Sequence, residues 1–187
     1  MVSPDPPDHH ATLAQMYTID SHDRVVELRD VPQSSVGAPC PVVVASEHHL
    51  FVAYLVQEAP AGWDGTTVRV VGPDTTGEPA AMIRFVNYYA TMFGPPNDEA
   101  FEGHPLAERG LHPYGAFEIV DSSWVRQLER MNSVHPYHEP EVFKSYRHFV
   151  LAFHDSTLEC IARGYTTELG LGPLNQLAAQ AAASLRS

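Results

Sequence analysis

The sequence predicts an α+β fold, in which a mainly antiparallel β-sheet carries a few helices on one face. Short strand-like runs rich in Val, Ile, Phe and Tyr outnumber the helical patterns along the chain. The connections between these runs are too short for the helical crossovers that a parallel sheet requires. The chain of 187 residues is long enough to form one hydrophobic core. We therefore predict a single α+β domain over residues 13–187, preceded by a disordered lead over residues 1–12.

Strand candidates dominate the first half of the chain. "RVVEL" predicts a short strand over residues 24–28, and a polar turn separates two further strands over 41–45 and 49–57. "TTVRVVG" predicts a strand over residues 66–72, because glycines bound it on both sides. "AAMIRFVNYYATMFG", over residues 80–94, has the β-branched and aromatic content of a strand. These runs supply most of the predicted sheet.

The segment over residues 94–115 breaks this pattern. It carries four prolines, four glycines and two histidines, and only "EAF" and "LAER" within it could form a turn of helix. Irregular stretches longer than about 12–15 residues in a compact domain are usually functional loops or linkers. We therefore predict a functional loop over residues 94–115.

The second half of the chain combines strands with three helices. "AFEIV" predicts a strand over residues 116–120. Asp121 and Ser122 are both good N-caps for a helix that ends near Asn132. A short helix begins at Pro140, and the last helix begins at Pro173. The first helix has a predicted apolar face formed by Trp124, Val125, Leu128 and Met131. The last helix has one formed by Leu174, Leu177, Ala178, Ala181 and Leu185.

"HFVLAFHDSTLECIARGY", over residues 148–165, predicts a β-hairpin with a polar tip. Side chains alternate between the faces of a strand. A loop with an even number of residues therefore brings the two all-apolar sets of this hairpin together, whereas a three-residue loop would mix them. Either even loop places His154 opposite or diagonal to Glu159, about 5–8 Å away between Cβ atoms. The two apolar sets are Phe149, Leu151 and Phe153, and Leu158, Cys160 and Ala162.

The predicted functional site is a cleft between the polar face of this hairpin, over residues 148–163, and the 94–115 loop. We expect His154 to act there as general base or metal ligand, with Glu159 orienting its ring. The loop would contribute Asp98, Glu99, His104 and Tyr114. The alternative is an ordinary hairpin with a solvated polar face, since that is the commonest surface pattern of antiparallel sheets.

The sequence does not identify a cofactor, and a divalent metal is the candidate. The candidate ligands are His104, His112 and His154, because imidazole binds several transition metals. The alternative is a proline-pinned loop whose histidines cap neighbouring carbonyls. No nucleotide, flavin or pyridoxal phosphate is expected, because the chain lacks a glycine-rich phosphate loop and a dinucleotide fingerprint, and Lys144 is its only lysine.

Charge and composition limit the partners. A net charge of −12 argues against nucleic acid and anionic membranes, which require clustered Lys and Arg. The first ten residues, "MVSPDPPDHH", do not resemble a secretory signal, and the longest apolar run is too short to span a bilayer. Cys40 and Cys160 form no metal-binding or disulfide pattern. We expect a cytoplasmic protein with a small-molecule ligand or a basic protein partner, and the composition is compatible with a homo-oligomer.

Two functions fit these observations. The first is a small cytoplasmic enzyme that performs acid–base chemistry, with or without a metal, on a small uncharged or cationic molecule. The second is a non-catalytic, acidic binding protein that masks a basic surface of another protein. Eleven histidines favour the enzyme, because histidine titrates near neutral pH. The negative charge suits both.

Overall fold

The computed structural model describes residues 17–60, 62–63 and 70–185. Within these ranges, nine strands form two antiparallel sheets, and three α-helices accompany them. The predicted α+β fold class is confirmed. The predicted lead over residues 1–12 and most of the predicted strand over residues 66–72 lie outside the described residues.

The strands divide between a five-stranded sheet, in the order β1-β6-β7-β8-β5, and a four-stranded sheet, in the order β2-β3-β4-β9. The strands are β1 (Arg24–Glu27), β2 (Val42–Ala45), β3 (Leu50–Leu55), β4 (Pro79–Val86), β5 (Ala90–Gly94), β6 (Ala116–Val120), β7 (Arg147–Ala152), β8 (Thr157–Ala162) and β9 (Gly164–Leu171). The helices are α1 (Ser123–Asn132), α2 (Pro140–Phe143) and α3 (Leu174–Ser184). Two 3₁₀ turns, Phe101–Gly103 and Ala107–Arg109, lie at the helical runs predicted within the 94–115 loop.

The segment 80–94 is a strand region, as predicted, but it forms two strands instead of one. Asn87 adopts a φ of 49°, in the left-handed region, where the chain leaves β4. Asparagine tolerates this conformation better than most residues, so the chain can change direction there. As a result β4 belongs to the four-stranded sheet and β5 to the five-stranded sheet.

The two sheets pack face to face around a shared core. Phe85 of the four-stranded sheet lies 5.9 Å from Phe149 of the five-stranded sheet, measured between ring centroids. Tyr165, also of the four-stranded sheet, lies 5.3 Å from Phe149 between ring centroids. Tyr54 packs against Phe153 at 5.3 Å. Both apolar sets of the predicted hairpin lie in this core, because a sandwich buries the inward-facing side chains of its strands.

The helices cover the outer faces of the sheets. In α3, Leu174 and Leu177 pack with Ala53 of β3. On the other side, α1 packs on the five-stranded sheet through Trp124, Val125 and Leu128. Its N-cap is Ser122, one of the two predicted candidates, and Ser122 Oγ accepts a hydrogen bond from the Val125 backbone N–H.

One residue of the predicted apolar face of α1 is exposed. Met131 lies in the last turn of the helix and is 65 % exposed. The helix packs on the sheet through its earlier turns, so the periodic pattern continues past the end of the contact.

The hairpin has a loop with an even number of residues, as predicted, but its register matches neither of the two predicted pairings. Ala152 pairs with Thr157 and Val150 pairs with Glu159, so the loop contains residues 153–156. His154 therefore lies in the loop, beyond the last paired residues of the ladder. The predicted placement of His154 opposite or diagonal to Glu159 is wrong.

Candidate functional site

A buried carboxylate lies on the outer face of the five-stranded sheet. Glu159 of β8 has a side chain that is 12 % exposed. Its Oε2 accepts hydrogen bonds from Tyr17 Oη at 2.6 Å and His148 Nε2 at 2.9 Å. Its Oε1 lies 3.4 Å from His104 Nε2. We call Tyr17, His104, His148 and Glu159 the carboxylate cluster.

These donors keep Glu159 ionised. Burial by itself raises the pKa of a carboxyl group, but the hydrogen bonds from His104 and His148 outweigh it and lower the pKa of Glu159. Burial, and then the charge of Glu159, raise the pKa of Tyr17 above its usual value. Tyr17 therefore remains a neutral donor beside an ionised acceptor, and such charge-assisted hydrogen bonds are the stronger kind.

The loop itself determines the tautomer of His104. The backbone N–H of Leu106 donates to His104 Nδ1 at 3.1 Å. Because Nδ1 acts as an acceptor, the proton of the neutral ring must lie on Nε2, which then donates to Glu159. The ring also stacks on Phe101 with a centroid distance of 5.6 Å. His104 thereby ties the 94–115 loop to the sheet.

His148 is completely buried, and it contacts both polar and aromatic side chains. Its Nδ1 lies 3.0 Å from Ser122 Oγ, the N-cap of α1. Its ring makes T-shaped contacts with Trp124 and Tyr17, at 5.1 Å and 5.4 Å between ring centroids. The hydroxyl of Ser122 can donate to Nδ1 while it accepts from the helix backbone, which leaves the Nε2 proton for the carboxylate. His148 thus connects the start of α1 to the cluster.

A second group of side chains lies at the tip of the hairpin. His154 Nδ1 is 2.9 Å from Asp98 Oδ2 and 3.0 Å from Tyr114 Oη. Tyr114 also donates its hydroxyl proton to Asp98 Oδ2. The backbone N–H of Asp98 donates to the His154 carbonyl at 2.9 Å, and Thr157 Oγ1 donates to the Pro96 carbonyl at 2.9 Å. We call Asp98, Tyr114 and His154 the loop triad.

The loop triad has a defined protonation pattern. The hydrogen bond from Tyr114 is the main reason that the pKa of Asp98 lies below its usual value. Desolvation opposes this effect, and the hydrogen bond from His154 adds to the lowering. The hydrogen bond to Asp98 raises the pKa of Tyr114 to about 12. An ionised Asp98 favours the His154 tautomer with its proton on Nδ1. Nε2 then carries a free electron pair, and it has no hydrogen-bond partner among the described residues.

The structure distributes five of the six predicted site residues over the two groups. The loop triad contains three of them, and the carboxylate cluster contains Glu159 and His104. The sixth, Glu99, is exposed, and its backbone N–H donates to Asp98 Oδ1. The predicted pair of His154 and Glu159 is replaced by two separate pairs, because the shifted register moves His154 onto the loop.

The three predicted metal ligands have separate surroundings. His104 binds Glu159, and His154 binds Asp98. His112 has its Nδ1 2.9 Å from the Pro113 carbonyl, and its ring meets Phe117 edge-on. In the part of the chain that the structure describes, no three His, Cys, Asp or Glu side chains are arranged to hold a metal ion.

Two members of the carboxylate cluster are absent from the predicted site. His148 shares a strand face with Glu159, so alternation alone could have identified it as a partner. Tyr17 is separated from Glu159 by 142 positions, and no local pattern marks it. Only the folded chain brings it to the carboxylate.

A cleft of about 600 Å³ lies beside the loop triad. Tyr54, Leu151 and Phe153 form an apolar part of its wall, and Tyr114 is the member of the loop triad that lines it. The segment over residues 27–36 contributes several more lining residues. Its volume is in the usual range for small-molecule sites, about 300–1,000 Å³.

This cleft differs in position from the predicted one. We expected it between the outer sheet face and the 94–115 loop. The loop instead packs onto that face, where Phe101, Leu106 and Leu111 contact Val150 and Ala152. The observed cleft reaches the shared core between the two sheets, because Leu151 and Phe153 point to the opposite side of the strand from Val150 and Ala152.

Comparisons of the chain with protein-family models, with curated proteins and with solved structures found no match. No helix among the described residues has the length and apolar character needed to cross a membrane. The function is therefore inferred from the geometry of the loop triad and of the cleft.

Proposed function

We propose that the protein is an enzyme that performs acid–base chemistry on a small molecule bound in the cleft. The observation that carries this proposal is the arrangement of His154. Asp98 and Tyr114 hold its Nδ1, while its Nε2 is unoccupied by any described residue. Tyr114 belongs to the triad and also lines the cleft, so the triad borders a binding space.

In the proposed chemistry His154 is the general base and then the general acid. Its Nε2 takes a proton from the substrate or from a water molecule, and the ring becomes positively charged. Asp98 orients the ring and stabilises that charge through Nδ1, as the carboxylate does in an Asp–His pair. Nε2 then returns the proton to the leaving or product atom. The side chain of His154 is 39 % exposed, so the proton can also exchange with solvent.

Tyr114 positions Asp98 in this proposal. Its hydroxyl donates to the carboxylate, and the raised pKa keeps that donor protonated at neutral pH. The carboxylate cluster has a supporting role. Its buried hydrogen bond from His104 to Glu159 holds the loop that carries Asp98 against the sheet.

A cytoplasmic location is part of the same proposal. Cys40 and Cys160 are both free thiols. Free thiols are usual in reducing compartments, where disulfides are rare. This supports the cytoplasm as the place of the reaction.

The proposal is tested in two stages. A fragment library is screened by NMR, and we expect ligands that shift Tyr114 and Phe153, both of which line the cleft. Hydrolysable and enolisable compounds related to the ligands are then assayed for turnover. His154→Gln should remove at least about 99 % of that turnover, since general acid–base groups contribute about 10²–10⁴-fold. His135→Gln, at an exposed histidine on another loop, is the control.

Two results would contradict the proposal. One is turnover that survives His154→Gln unchanged. The other is a screen in which every ligand binds away from Tyr114 and Phe153. In either case the loop triad would be a device that orders the hairpin tip.

A further inference from the structure

A second cavity lies on the outer side of the five-stranded sheet, beside α1 and α2. Its volume is about 570 Å³, and its lining is mostly apolar. Ile119, Val125 and Phe143 are among its apolar lining residues. None of its lining residues also lines the cleft beside the loop triad.

The charged residues of this cavity are balanced and paired. Three acidic residues and three basic residues line it. The pairs are Arg147 with Glu118, Arg24 with Asp121, Arg126 with Asp20, His138 with Glu129, and Lys144 with Glu141. Each charged side chain of the lining thus has an opposite partner or a histidine already. A charged ligand would have to compete with these partners, whereas an uncharged ligand would not.

We propose that this cavity binds an uncharged, largely apolar small molecule. The apolar lining supplies the hydrophobic contribution to binding. The balanced rim supplies no uncompensated charge for an ionic ligand, and the net charge of −12 disfavours anions further. The cavity is therefore a ligand site separate from the cleft of the proposed enzyme reaction.

Occupancy of this cavity has a specific internal reporter. Ser122 lines the cavity, and its Oγ lies 3.0 Å from Nδ1 of His148. A ligand against Ser122 changes the environment of that hydrogen bond. The ring resonances of His148 should therefore respond to the ligand, whereas those of His154, at the tip of the hairpin, should not.

The experiment compares two fluorescent probes with the same aromatic rings. N-phenylnaphthylamine is uncharged, and anilinonaphthalene sulfonate is an anion. We expect the wild-type protein to bind the uncharged probe at one saturable site, at least about ten-fold more tightly than the anion, a difference in the dissociation constant that fluorescence titration resolves. NMR of the histidine rings during the titration should show a shift at His148.

Three substitutions and a control test the location and the charge argument. Val125→Asp places a charge in the apolar lining and should weaken the uncharged probe at least about ten-fold. Val125→Thr, which keeps the shape, should weaken it by a smaller factor if the aspartate variant fails to fold. Met131→Asp, on the same helix but outside the cavity, should have no effect. Glu118→Gln frees Arg147 and should strengthen binding of the anionic probe.

Several outcomes would overturn the inference. The first is equal affinity for the two probes, and the second is binding that neither Val125 substitution changes. The third is a shift of the His154 resonances in place of those of His148, which would put the probe in the cleft. Dimerisation in sedimentation that Val125→Asp abolishes, without probe binding, would identify the surface as a contact between two copies. None of these outcomes bears on turnover by His154.

Discussion

His148 Nε2 donates to Glu159 Oε2 at 2.9 Å, although the two residues are not opposite each other in the strand ladder. Glu159 pairs with Val150, so His148 reaches it diagonally across β7 and β8. The imidazole is fully buried and the carboxylate nearly so. Without this hydrogen bond, each residue would bury a polar group that lacks a partner, which is energetically costly. The pair forms the centre of a cluster that joins the segment at Tyr17, the 94–115 loop and the sheet.

Removal of the buried carboxylate should destabilise the protein. In Glu159→Ala the donors on Tyr17, His104 and His148 lose their acceptor while they remain buried. We expect a loss of roughly 3 kcal/mol in the free energy of unfolding, since a buried group that loses a charged partner costs about 1–3 kcal/mol or more. Urea unfolding measures it. Glu141→Ala, which removes an exposed partner of Lys144, is the control and should change little.

The contribution of Glu159 should depend on pH. Its pKa is lower in the folded protein than in the unfolded chain, where it is about 4.3. The stabilisation is therefore fully present above that value and is lost as the pH falls toward the folded pKa. Urea midpoints of wild type and Glu159→Gln should differ most near about pH 7 and approach each other below about pH 4. A difference that stays constant over this range would show that Glu159 is not ionised preferentially in the fold.

At the hairpin tip, substitution of a core residue and of a site residue should have different effects on the free energy of unfolding. Phe153 is buried in the shared core, and its neighbour His154 lies half-exposed in the loop. Phe153→Ala should cost roughly 3–5 kcal/mol, because it leaves a cavity in the core. His154→Ala should cost less than about 1 kcal/mol, as surface substitutions do. Equal losses in urea unfolding would mean that the imidazole is itself part of the packing.

Asp98 should control the tautomer of His154. Asp98→Asn removes the ionised acceptor at Nδ1, so a larger share of the neutral ring should carry its proton on Nε2. Nitrogen NMR of the imidazole ring distinguishes the two tautomers. Glu99→Gln, at the exposed neighbouring position, is a matched control and should leave the ring unchanged. Identical spectra for wild type and Asp98→Asn would mean that the carboxylate does not orient the ring.

The change of direction between β4 and β5 should require Asn87. Its φ of 49° suits asparagine or glycine and disfavours β-branched residues. Asn87→Val should cost roughly 1–2 kcal/mol in unfolding free energy, the penalty of the left-handed region for an ordinary residue. Asn87→Gly should be close to neutral. A valine variant as stable as wild type would show that the backbone can adopt another conformation there.

Much of the fold was predictable because it depends on neighbours along the chain. The alternation of side chains correctly assigned Phe149, Leu151 and Phe153 to the core, since the faces of a strand have a period of two residues. The predicted caps at Asp121 and Ser122 marked the start of α1 for a similarly local reason, and Ser122 is the residue that caps it. Asp98 and Tyr114 were predicted from the composition of their loop, and they do meet His154.

The partners within the site depended on contacts between distant segments. Alternation distinguishes an even loop from an odd one, but a register shift of two residues leaves every side chain on the same face. The hydrogen bonds of Asp98 to the His154 carbonyl and of Thr157 to the Pro96 carbonyl join the 94–115 loop to the hairpin tip in the observed register. In that register His154 binds Asp98, and Glu159 binds His148, because each polar side chain pairs with the group that the packing of the loop and the sheet places within its reach.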